Sequence, residues 1–88
     1  MSKSKPNPAV VRGAVLEVVE SQLRDGTPPE TKQTLQRLVA AGYSEEEAKN
    51  LMAVVVISEF FDVLKHGKPY DESRFIAALR QLPKLPYD

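Results

Sequence analysis

The sequence predicts an all-α fold: a compact four-helix domain, with helices over about 8–24, 28–41, 45–65 and 72–81 and the third helix central. Three observations predict it. Apolar residues recur at helical spacing in four segments that Gly and Pro separate. Ser44 and Glu47 stand in the relation of a capping box at the start of the third segment. Finally, Leu51 to Leu64 is apolar on almost every side, and a helix of that kind requires burial nearly all round.

Residues 1–7 read as a flexible tail of Ser, Lys and Pro, and residues 8–82 as one helical domain. Asn7 is placed to cap the first helix, with Pro8 at its first position, where a missing N–H costs nothing. Val11, Ala14, Val15, Val18, Val19 and Leu23 form its stripe, which Leu16 widens. Glu17, Glu20 and Arg24 lie opposite, and Arg12 falls inside the apolar arc. Val is a middling helix former, so tertiary packing must carry this helix.

Asp25-Gly26 ends it. Thr27 is the expected cap of the second helix, which Pro28-Pro29 opens. Leu35, Leu38 and Val39 are its expected apolar stripe, and Gly42 its left-handed terminator. Tyr43 takes the staple position before the Ser44 cap, opposite Ala48, and Glu45, Glu46 and Glu47 suit the positive end of the helix dipole. A strand over Ala53 to Ile57 is the local competitor, given its β-branched content, but it has no partner strand and follows a strong helix cap. His66-Gly67 closes the third helix. Asp71 caps the fourth, with Phe75, Ile76, Ala78, Leu79 and Leu82 as its stripe. Pro83 and Pro86 imply an extended tail over 83–88.

Eighty-eight residues form a single domain that buries only roughly 60–65% of its unfolded surface, so its own core leaves stability marginal. The chain has no cysteine, which removes disulfides and thiolate metal sites and leaves oligomerisation as the expected supplement. Formal net charge is zero, which argues against a phosphate-backbone binder. The apolar run Met52 to Ile57 is far too short to span a bilayer, and no apolar signal core directly follows Lys3 and Lys5, so a cytoplasmic protein with no membrane partner is expected.

Few residues suggest chemistry. His66 lies in the last turn of the third helix, four residues after Asp62, where a cation complements both the carboxylate and the dipole. Glu59 follows Met52 by seven and Val55 by four, so a carboxylate shares an apolar stripe. It reads as an edge residue reaching solvent or as a buried charge needing a cation, for which Arg12 is the first candidate and Glu20 a further member. Glu20, Glu47 and Glu59 are the carboxylates that a metal between helices would use, but the Glu-x-x-His of helical di-metal sites is here Glu47-Ala48-Lys49-Asn50. A helix-turn-helix reading fails on the three glutamates that open its recognition helix. No cofactor, catalytic residue, metal or nucleic acid is expected.

Leu35 to Ala48, with its leucine, Gly42-Tyr43-Ser44 and Glu47-Ala48, resembles ubiquitin-associated domains over about fourteen residues. That resemblance implies peptide or protein binding through Gly42 and Tyr43, with Ala41 in place of that family's Met. Over most of the chain, Val19 to Leu23, Pro28-Pro29-Glu30, Thr34 to Leu38, Gly42 to Ala48, Phe60 to Leu64 and Gly67 to Glu72 resemble a group of small bacterial helical proteins of unknown function. That resemblance implies a helical fold and no particular activity.

The three shorter helices leave part of the third uncovered, and the apolar arc of the first, roughly 200°, exceeds what one partner needs. An exposed apolar patch and a two-fold homodimer, or another protein partner, follow as expectations. The expected function is a non-enzymatic interaction or oligomerisation module; the alternatives are a peptide or protein binder through the Gly42-Tyr43 loop and a small carboxylate-based metal protein or enzyme using Glu20, Glu59 and His66. The module's candidate interaction residues are Val11, Val15, Tyr43, Leu51, Val55, Phe60 and Phe61, and its candidate buried polar residues Arg12, Glu20 and Glu59.

Overall fold

A computed structural model of the chain describes residues 8–86, with side chains from residue 13 onward. Four α-helices, Pro8–Asp25 (α1), Pro29–Ala40 (α2), Glu45–His66 (α3) and Glu72–Gln81 (α4), account for its regular structure, and no strand occurs among the described residues. Helix α3 packs against each of the other three, and more extensively than α2, which also touches all three, so it is the central element. No helix of the described residues is long and apolar enough to cross a membrane.

The helix ends follow from local chemistry. At α3 the Ser44 hydroxyl accepts the Glu47 N–H at 3.0 Å, and the Glu47 carboxylate accepts the Ser44 N–H at 2.8 Å, closing the capping box. Gly67 ends the helix at φ +64, its N–H donating to the Val63 carbonyl. The end of α2 is a Schellman motif: Gly42 at φ +108 donates to Val39 and the Tyr43 N–H reaches back to Leu38. Asp71 caps α4, its Oδ1 accepting the N–H groups of Ser73 and Arg74.

Three expectations need correction. Thr27 does not cap α2; the N-cap is Pro28, which supplies the extended backbone but has no side-chain acceptor, while the Thr27 hydroxyl points at the Asp25 carbonyl. The buried face of α2 is Thr31, Thr34 and Leu38, with Leu35 half-buried and Val39 exposed. Two threonines can line this face because their hydroxyls are satisfied, Thr31 by the Gln22 side chain on α1 at 2.9 Å and Thr34 by the Glu30 carbonyl at 2.7 Å. The residues after α4 turn back instead of extending as a tail: Leu82 is buried, Leu85 packs on the core, and Lys84 N–H bonds Gln81. Arg37 of α2 holds this turn by donating to the carbonyls of Leu79 and Leu82, which satisfies free acceptors at the end of α4.

The core is Val19 of α1, Leu38 of α2, Ala48, Met52, Ala53 and Val55 of α3, and Phe75, Leu79 and Leu82 from α4 and its end. Along α3 the inward stripe Ala48, Met52, Val55 and Glu59 repeats at four, three and four residues, one face of a helix.

Candidate interaction surface

The two flanks of α1 touch distant parts of α3. Glu20 pairs with Lys49 near the start of α3, whereas Val18 and Gln22 line a groove with Val56 and Glu59 ten residues further on. Helix α1 therefore reaches both halves of α3, and one face of the far half stays open. The exposures of Phe60, Phe61 and Leu64 are 62%, 61% and 65%. Among the described residues, the burial that the apolar sequence of α3 demands all round is thus met only in part.

An open apolar groove of about 400 Å³ borders this surface. Val18 and Gln22 of α1, Val56, Glu59, Phe60 and Val63 of α3, Tyr70 before α4 and Phe75 of α4 line it. The Tyr70 and Phe75 rings lie 6.2 Å apart at 53°, a tilted aromatic contact.

Glu59 is buried at 7% exposure and is not an edge residue reaching solvent. Its partner is Arg74 of α4: Nε donates to Oε1 at 3.0 Å and Nη2 to Oε2, a two-pronged pair. The expected partner, Arg12, has its side chain outside the described residues. Arg74 had a signal in the sequence, since it lies one residue before Phe75 and four before Ala78, at the border of the inward stripe. The Glu59 hydrogen bond holds the Arg74 guanidinium charged and raises its pKa above the ordinary value. Replacing Arg74 with Leu removes the only ion-pair partner that Glu59 has among the described residues and is expected to lower stability, because the stranded carboxylate stays in an apolar setting. The double variant Glu59→Leu with Arg74→Leu is expected to recover most of the loss, which denaturant unfolding of the three variants checks.

The remaining candidate residues are dispersed. Glu20 is half-exposed, not buried, and lies 2.9 Å from Lys49, which also faces Glu45 at 3.5 Å. The hydrogen bond to Glu20 raises the Lys49 pKa, with burial opposing it. Glu47 is engaged in its capping box. So the three carboxylates each face a different partner, and no group of three metal-ligating side chains converges among the described residues. His66 is exposed and does not pair with Asp62. Val55 is fully buried and belongs to the core rather than to a surface. Val15, Tyr43 and Leu51 are half-buried and pack on the core, Tyr43 turned inward as a staple residue is. The side chain of Val11 lies outside the described residues. Of the six candidate interaction residues whose side chains are described, Phe60 and Phe61 are the exposed ones.

Tyr70, at the groove wall, has its phenol pKa pushed up, first by burial and then by the charges of Glu72, Glu59 and Asp71. Lys49 and Tyr70 both shift upward, which fixes the sign of their linkage, while Arg74 stays charged over the same range. Below the ordinary tyrosine value of 10.0, folded and unfolded chains both keep these protons; above it the unfolded chain releases them first. Stability is expected to fall as pH rises beyond that value, and ultraviolet titration is expected to show the Tyr70 phenolate appearing later than an ordinary tyrosine. Titrating wild type against Tyr70→Phe checks it.

No known family model matches the chain, and comparison with curated proteins and with solved structures finds no match.

Proposed function

We propose that this protein is a non-enzymatic helical oligomerisation module whose working surface is the exposed face on the far half of α3. One observation supports the reading above others: Phe60, Phe61 and Leu64, three large apolar side chains within five residues, stand in solvent on the helix that is otherwise the centre of the core. Single exposed apolar residues are ordinary, but a contiguous cluster beside an apolar groove marks a surface that another protein covers. The physical need is reciprocal. A chain of 88 residues with no disulfide has a small core, and covering these side chains adds the apolar burial that the lone domain lacks.

Hydroxyl-radical footprinting across a dilution series tests this reading. Modification of Phe60, Phe61 and Leu64 is expected to fall as protein concentration rises, while that of exposed Val39 on α2 stays constant. Reactivity of the three residues unchanged up to high micromolar concentration would overturn the reading.

A further inference from the structure

Helix α3 carries a second apolar stripe besides its inward one. Val54, Ile57, Phe61 and Leu64 follow one another at three, four and three residues, and the same spacing runs back through Asn50 to Glu47. From Val54 to Leu64 this is the spacing of coiled-coil a and d positions, one line of side chains able to face a partner helix. The inward stripe of Ala48, Met52, Val55 and Glu59 lies on another side of the helix. Among the described residues, Val54 and Ile57 are half-buried, Val54 lining a groove with Tyr43, Leu51 and Leu85, and Phe61 and Leu64 are exposed. The Phe61 and Leu64 end of the stripe therefore points away from the domain.

We infer that the partner of this stripe is the α3 of a second copy of the chain, packed antiparallel about a two-fold axis near Ile57. The inference rests on the oligomerisation reading above and adds its geometry.

Charge selects the copy and its direction. The first turn of α3 carries Glu45, Glu46 and Glu47, and its end carries Lys65 and His66, with Lys68 just beyond. An antiparallel copy sets each acidic end against the basic end of the other, and it opposes the two helix dipoles favourably. A parallel copy sets three glutamates against three glutamates. Size agrees with charge. An axis at Ile57 places Ile57 against itself and the small Val54 opposite the large Phe61 of the second copy, so the layers interdigitate. The interface is isologous and closes at two copies.

Single-cysteine cross-linking tests the geometry cleanly, because the natural chain has no cysteine. Ile57→Cys is expected to form a disulfide-linked dimer under mild oxidation. Val54→Cys mixed with Phe61→Cys is expected to link across the two variants, while Val54→Cys alone does not link to itself. Circular dichroism of each variant confirms that α3 is intact, and light scattering on the reduced variants reports association independently. A dimer that links Val54→Cys to itself and Phe61→Cys to itself is parallel and overturns the inference. A dimer that links at none of these positions uses another face, which also overturns it while leaving an oligomerisation role standing. A monomer by light scattering, unlinked at every position, overturns both.

Discussion

Replacing Leu79 with Ala is expected to lower the unfolding free energy by about 2–5 kcal/mol, the range for emptying a well-packed leucine site. Leu79 has no solvent exposure and sits on α4, which packs against both α2 and α3. Its carbonyl also accepts a hydrogen bond from Arg37, so the backbone there is held and cannot easily collapse into the cavity. For a domain of this size each kcal/mol moves Tm by about 4–8 °C, so a loss near 3 kcal/mol lowers Tm by roughly 12–24 °C. Val39→Ala on the exposed side of α2 is the control, with an expected change within about 0.5 kcal/mol. Thermal unfolding followed by circular dichroism separates the two.

Replacing Phe61 with Asp is expected to weaken self-association by about a hundredfold or more, with little loss of stability in the isolated domain. An aromatic anchor at the centre of an interface is worth about 2 kcal/mol or more, and a two-fold interface loses it twice. The new carboxylate also has to be desolvated without a cation opposite it, since Val54 is the residue that faces it across the axis. In the single domain Phe61 is largely in solvent, so the same change removes no core contact. Sedimentation velocity measures the association and denaturant unfolding at low concentration measures the domain. Equal loss in both would place Phe61 in the core and contradict the assignment.

The parts of the fold that local chemistry decides are legible in the sequence. Ser44, Asp71, Gly42 and Gly67 act on backbone groups within a few residues, so their spacing alone locates the ends of α2, α3 and α4. Thr27 misleads because a threonine beside two prolines looks like a cap, yet Pro28 already supplies the extended backbone. Thr31 and Thr34 pass for surface residues until a glutamine on another helix and a carbonyl one turn back satisfy their hydroxyls.

Pairing across the chain is less legible. Arg74 and Glu59 lie fifteen residues apart on two helices, and Arg37 reaches carbonyls more than forty residues away, so both contacts depend on how the helices dock. The candidate surface shows the same division. That α3 is apolar on more sides than its neighbours cover is readable from Val54 to Ile57, four apolar residues in a row. Which of the four faces inward is not: Val55 is buried and Val54 is not, a phase that depends on how the other helices dock on α3.

The mass of the unmodified chain in solution tests the central claim most directly. Light scattering over a concentration series is expected to rise from the 9.8 kDa of one chain toward twice that value and stop there, as a closed two-fold assembly does. A mass that stays at 9.8 kDa to high micromolar concentration would contradict it, because Phe60, Phe61 and Leu64 would then stand in water with no copy of the chain to cover them.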